Sequence, residues 1–219
     1  GIEKLLNTGS ENGTHWIPAE VDVSIRKGWF YHAEEDSLVK TPQQLFDLYL
    51  TSVGRGSTLL LNVPPDRRGL VHENDVAALE GFRALLDSTF KTDFALNKKV
   101  IASSYRGNSK HYAPANLTDN NASTYWTTDD EILTGNFEID FGQTQPINYL
   151  VLQEDIRLGQ RVKSFTVEVF KDNEWKQIGS STTIGHKRIL KLESVETDKV
   201  RISITDSKAC PILSEIKIY

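Results

Sequence analysis

The periodicity of this sequence changes once, near residue 94, and that change limits the folds open to it. Ahead of it, Val21, Val23 and Ile25 alternate with Glu20, Asp22 and Ser24, the period of two that a half-buried strand shows. Pro18 places that strand's start near an end or edge, since proline donates nothing to a ladder. Thr41-Pro42 reads as an N-cap followed by proline at the first helical position. Leu45, Leu48, Tyr49 and Val53 then recur at helical spacing, and Gly54 is expected to close the helix. The run Ser57 to Val63 predicts a strand buried on both faces of a parallel sheet, with Asn62 near its carboxyl end. Pro64 to Gly69 must turn, and Val76, Leu79, Phe82, Leu86 and Phe90 form one stripe of a second helix over Asn74 to Phe90.

Strand, helix, strand, helix is the order of parallel βα units. Two strands neither close a barrel nor bury both helices, so further strands are expected upstream. Beyond residue 94 only short alternating stretches follow: 136–141, 149–152, 164–169, 175–178, 188–192, 200–204 and 214–219. Many short strands separated by turns indicate an antiparallel sandwich. The fold class is therefore multidomain, α/β then all-β, with residues 1–94 the incomplete α/β part and 95–219 the sandwich.

At 219 residues the chain accommodates two modest cores. No apolar run approaches the roughly 18 residues a membrane helix needs. A net charge of -5 with scattered basic residues leaves no footprint for nucleic acid. One cysteine, Cys210, excludes an internal disulfide and is expected to act as a buried small hydrophobe. Gly1-Ile2-Glu3-Lys4 carries neither an initiator methionine nor the regions of a signal peptide, which again leads us to expect upstream residues. Asn7 to Thr14, rich in Gly, Asn and Ser, reads as an exposed loop.

The most informative string runs from Trp16 to His32: Trp-Ile-Pro-Ala-Glu-Val-Asp-Val-Ser-Ile-Arg-Lys-Gly-Trp-Phe-Tyr-His. Sugar sites draw on this mixture, because aromatics stack on a pyranose, charged groups hold hydroxyls, and carboxyls supply proton transfer and a nucleophile. Glu20 and Asp22 share a strand face roughly 6–7 Å apart. They read either as a catalytic pair or as two solvated acids. Trp29 reads as a sugar platform or a core residue, Arg26 as an ion-pair partner of Asp22 or a substrate ligand, and His32 as a satisfied structural histidine.

The string resembles the corresponding segment of glycoside hydrolase family 29, the retaining α-L-fucosidases, and within it the subgroup acting on α-1,3/1,4-linked fucose. The departure is Lys27, where that family usually has proline. The resemblance continues through Leu59-Leu-Leu-Asn62-Val-Pro-Pro-Asp66-Arg-Arg-Gly69 and through Leu152-Gln-Glu154-Asp-Ile-Arg-Leu-Gly159-Gln160-Arg161-Val162. It implies that residues 1–94 are the C-terminal part of a TIM-like (β/α) barrel. It gives Glu20 the general acid/base role, starting protonated, with Trp29 and Asp22 as substrate-binding residues. The nucleophilic aspartate is expected upstream in the same polypeptide. No cofactor is implied for catalysis, a fucosylated oligosaccharide is the implied partner, and a periplasmic or extracellular location follows from such substrates.

Asp119-Asn-Asn121-Ala-Ser-Thr124-Tyr-Trp126 resembles the metal loop of discoidin-like domains and family 32 carbohydrate-binding modules. That resemblance implies a jelly-roll, galactose-binding-like sandwich and a structural Ca²⁺ on Asp119, Asn121, Thr124 and Glu215. The alternative is an Asx-turn without metal, in which Asn120 tolerates the left-handed conformation. Tyr105, Arg106, His111 and Tyr112 offer a sugar-binding surface, set against a purely structural role. Two further readings compete with the enzyme: a carbohydrate-binding protein acting through the sandwich, and a structural fragment.

Overall fold

The computed structural model describes residues 10 and 12–219, which form two compact units. One spans Pro18–Thr92; the other spans Asp93–Tyr219 and takes in the described residues ahead of Pro18. Half of the loop expected over Asn7 to Thr14 falls outside the described residues, and the described half, Ser10 and residues 12–14, is exposed.

In the first unit, strands β1 (Glu20–Ser24) and β2 (Thr58–Asn62) pair in parallel, Glu20 opposite Thr58 and Ser24 opposite Asn62. Helix α1 (Pro42–Thr51) starts as its sequence dictates. The Thr41 hydroxyl accepts the Gln44 amide at 3.3 Å, and the Gln44 side chain accepts the Thr41 amide at 2.9 Å. This reciprocal cap satisfies two donors that a helix start leaves open. A short 3-10 turn, Val53–Arg55, follows, and the left-handed residue is Gly56 at φ 81°. Gly54, the expected terminator, is buried inside the turn instead.

Helix α2 (Glu73–Thr89) lays Ala78, Leu79 and Phe82 on a small core with Ile25, Leu45 and Leu61. Val76, expected on that stripe, is 39% exposed. Burial alternates along both strands: Val21, Val23, Leu59 and Leu61 are half-buried, while Glu20, Asp22, Thr58 and Leu60 are exposed on the other face. β2 was expected to be covered on both faces; within this unit the helices cover one face only, and Leu60 on the other is 49% exposed.

The second unit is antiparallel throughout. Its strands are β3 (Val100–Ala102), β4 (Trp126–Thr127), β5 (Gly135–Glu154), β6 (Val162–Lys171), β7 (Glu174–Ser181), β8 (Arg188–Ser207) and β9 (Ile212–Ile218). Their order is β4-β9-β5-β8-β6-β7, with β3 also on β5. The stretches 136–141 and 149–152 are two halves of β5, and 188–192 and 200–204 are two halves of β8. Register shifts between Asp140 and Gln145 and between Ile147 and Tyr149 mark where β5 departs from regular pairing with β8. Its first half serves β3 and the end of β8; its second half serves β9 and the start of β8. Long strands shared in this way are consistent with a β-sandwich closed on one core. That core holds Trp126, Phe137, Ile139, Phe165, Val167, Ile202, Leu213 and Ile216. Among the described residues, no helix is long and apolar enough to cross a membrane.

Candidate functional site

The carboxyl ends of β1 and β2 are joined by polar side chains. Asn62 Nδ2 donates to Ser24 Oγ at 3.0 Å and to the Trp29 carbonyl at 3.1 Å, and Ser24 Oγ donates to the Gly28 carbonyl at 2.7 Å. Asn62, read from sequence only as a strand-end residue, therefore fixes the backbone of the loop that carries Trp29. Trp29 is 51% exposed and is not packed into the core of this unit.

Arg26 is fully buried and does not pair with Asp22. Its Nε and Nη2 reach Asp75 Oδ2 at 3.0 and 2.9 Å, its Nη1 reaches Asp36 Oδ1 at 2.9 Å, and its guanidinium lies 4.8 Å over the Tyr31 ring. The role as an ion-pair residue stands; the partner is corrected. The ring of His32 is exposed, and it is the His32 carbonyl that accepts from Arg26, at 3.4 Å.

Glu20 is the first residue of β1 and Asp22 its third, both on the exposed face. The register puts Glu20 beside the first residue of β2, at the opposite end from Ser24 and Asn62.

In the second unit, the Asp119 loop is an Asx-type turn. Asp119 Oδ1 accepts the Asn121 amide at 2.9 Å, the Thr124 hydroxyl donates to Asp119 Oδ2 at 2.7 Å, and Asn120 takes φ 55°. Glu215 is buried, and its Oε1 has no hydrogen-bond partner. Burial pushes its carboxyl up to about 7; Lys217 pulls it down, and Asp119 and Asp93 push it further up. No cluster of three or more His, Cys, Asp or Glu side chains among the described residues is arranged to hold a metal.

Other expected residues separate. Tyr105 packs against the sandwich core rather than offering a surface. Arg106 is spent on the Thr128 carbonyl, Asp130 and Cys210, whereas His111 and Tyr112 meet edge to face at 4.7 Å beside Tyr125. Cys210 is buried as expected but not in an apolar niche: Arg161 Nη1 lies 2.9 Å and Arg106 Nη2 3.4 Å from its sulfur.

Sequence reasoning missed Glu154. Its Oε1 accepts the amides of Arg161 and Val162 at 2.6 and 2.8 Å, and its Oε2 accepts that of Gly185 at 2.7 Å. Burial pushes this carboxyl up to about 7 against the pull of those three donors. Asp75 was missed too; in the sequence it is one more acid in a helix's first turn.

Residues 99–216, more than half of the chain, match the F5/8 type C domain family. The chain belongs to that family. Residues 5–89 match the alpha-L-fucosidase family. Alpha-L-fucosidase 1 of Arabidopsis thaliana is 37% identical over 96% of this chain, and the chain spans 42% of that relative's length. Among solved structures, a protein described as SpGH29 is 38% identical with a TM-score of 0.89, covering 99% of this chain and 47% of that one. A Ruminococcus gnavus GH29 fucosidase in complex with fucose is 33% identical with a TM-score of 0.88, covering 96% of this chain and 43% of that one. The F5/8 type C chain is thus homologous along nearly its whole length to proteins named as α-L-fucosidases, which are glycoside hydrolases.

Proposed function

We propose that this chain works as the C-terminal part of a retaining exo-α-L-fucosidase that removes terminal α-1,3/1,4-linked fucose from glycans. The single observation that carries the reading is homology to α-L-fucosidases that runs through both units, at 37% identity over 96% of the chain. In this reading β1 and β2 are consecutive strands of a (β/α) barrel, and the exposed face bearing Glu20, Asp22 and Leu60 lines its interior. The nucleophile comes from an earlier strand of the same polypeptide, and fucosylated glycans place the enzyme in the periplasm or outside the cell.

A retaining mechanism needs one carboxylate to attack the anomeric carbon and a second to protonate the leaving oxygen, then deprotonate water. The family resemblance offers Glu20 as the second. Barrel enzymes react at the carboxyl ends of their strands, however, and Glu20 stands at the amino end of β1, four residues or about 13 Å from Ser24. Glu20 remains the proposed acid/base of this chain, and its place at the amino end of β1 is what the experiment below has to test. The geometry favours Trp29, on the loop leaving the carboxyl end, as a residue that touches the sugar. The deciding experiment is hydrolysis of Lewis-type trisaccharides by the full polypeptide and by Glu20→Gln. Absence of fucose release by the unaltered protein would end the enzyme reading, and near-normal turnover by the variant would take the acid/base role from Glu20.

The Asp119 loop fits a hard cation. Glu215 Oε1 is a buried oxygen without a donor, Asp119 is close enough to raise its charge cost, and the Asn121 and Thr124 oxygens complete an all-oxygen set of the kind Ca²⁺ takes. Asp119, Asn121, Thr124 and Glu215 would hold the ion, which would neutralise two facing carboxylates and tie the loop to β9. Calcium should raise the melting temperature and a chelator lower it; no change on chelation removes the proposal.

A second reading rests on the His111, Tyr112 and Tyr125 cluster of the F5/8 type C unit. Its exposed His111 edge and neighbouring Tyr112 suit a sugar ring, so the unit would also bind glycan. Titration of the unit with fucosylated and galactosylated oligosaccharides tests it.

A further inference from the structure

A cleft of about 410 Å³ opens in the Pro18–Thr92 unit between two loops, with Tyr31 on one side and Asp66, Arg67, Arg68, His72 and Glu73 on the other. Tyr31 follows the carboxyl end of β1, and residues 66–73 follow the carboxyl end of β2. The cleft thus sits where parallel strands present their ligand-binding loops, and its volume lies within the range of small-ligand sites.

Its charges are almost entirely committed. Arg68 binds Asp66 through Nε at 2.8 Å and Nη2 at 2.5 Å, and binds Glu73 at 2.8 Å. Asp66 also accepts the Arg68 amide at 2.7 Å, and the Arg68 side chain, with the backbone donors, holds its carboxyl below the usual range against the opposing effect of burial. Asp36 behind the cleft accepts from Arg26 at 2.9 Å and from Tyr31 at 3.3 Å, and lies 3.3 Å from His72 Nε2. The Arg26 guanidinium lies 4.8 Å over the Tyr31 ring and the His72 ring meets it tilted at 5.9 Å, so Tyr31 is already engaged and acts as a wall of the cleft.

Arg67 is different. It is exposed and has no hydrogen-bond or ion-pair partner among the described residues. Every carboxylate that lines the cleft already has an arginine, so a ligand entering it meets one uncompensated guanidinium with donors to give. A guanidinium fork of this kind pairs best with a planar or tetrahedral oxyanion.

We propose that Arg67 is a specificity-determining residue that recognises an anionic group, a carboxylate or a sulfate ester, on the glycan from which fucose is removed. The inference rests on the fucosidase reading, because it is that reading which makes the cleft the place of the departing glycan.

The test compares the full polypeptide with Arg67→Ala on four compounds: a nitrophenyl fucoside, a neutral Lewis-type trisaccharide, its sialylated form and its sulfated form. The variant should lose about tenfold in kcat/KM on the anionic glycans while the nitrophenyl fucoside and neutral trisaccharide stay within about twofold. Loss confined to the sialylated form identifies a carboxylate, and loss confined to the sulfated form a sulfate. Equal loss on all four, or none on either anionic glycan, overturns the proposal. Binding of thio-linked, non-hydrolysable versions of the same glycans is measured alongside. If the unaltered protein hydrolyses nothing, the fucosidase reading falls. The binding ratio of anionic to neutral glycan, with and without Arg67, then decides the role of Arg67 by itself.

Discussion

Arg26 Nη2 and Asp75 Oδ2 meet at 2.9 Å with both side chains fully buried, joining the end of β1 to the first turn of α2 across 49 positions of sequence. Breaking such a pair from one side strands a charge that water cannot reach. Asp75→Asn should therefore destabilise this part of the protein by about 3 kcal/mol, the lower end of the range for buried pairs, since Asp36 still compensates Arg26. Urea unfolding with an unchanged slope would show it. A shift under about 1 kcal/mol would mean that the pair adds little beyond its geometry.

That pair also shows where sequence reading stops. Capping at Thr41 and Pro42 is local, involving neighbours three positions apart, and was legible. Alternation in β5 and β8 was legible in pieces, because Gly142 to Gln145 interrupts the apolar pattern while the strand itself continues through the irregularity. Arg26 was legible as an ion-pair residue, but its choice of Asp75 over Asp22 depends on how α2 packs, which no spacing encodes. Glu154 was invisible for the same reason: two of its three amide donors lie seven and eight residues on, but the third belongs to Gly185.

Glu20→Gln and Trp29→Ala test the two ends of β1. With Glu20 as the acid/base, Glu20→Gln should lower turnover by several orders of magnitude; turnover within a few-fold of normal would place the reaction at the carboxyl end without it. Trp29→Ala should lower kcat/KM on fucosides about tenfold through lost ring contact. Azide rescue of a severely impaired Glu20→Gln enzyme is the result that would establish the assignment.

Glu215 gives the F5/8 type C unit a pH signature. Its folded-state carboxyl stands near 7, above the roughly 4.3 of an unfolded chain. The favourable contribution of the protonated form is complete below about pH 4.3 and is lost as pH rises through about 7. In chelator-treated protein, the stability difference between the unaltered protein and Glu215→Gln should therefore change between those values, with the unaltered protein losing ground as pH rises. Parallel melting curves from pH 4.5 to 7.5 would contradict it.

Gly135 opens β5 against the indole of Trp126, and a Cβ built there would stand 2.9 Å from Trp126 Cη2. The indole has nowhere to go. It is fully buried, its Nε1 donates to the Ser104 carbonyl at 2.9 Å, and Phe137 meets it edge to face at 4.4 Å. Adding one methyl must displace an aromatic ring that is fixed on several sides, so Gly135→Ala should cost about 1–3 kcal/mol even though alanine suits a strand no worse than glycine. The cause can be separated from any backbone effect by pairing it with Trp126→Phe. The smaller ring removes the clash and the hydrogen bond together, so Gly135→Ala should cost less in that background than alone. A cost that is the same in both backgrounds would place the defect in the strand backbone rather than in the packing of Trp126.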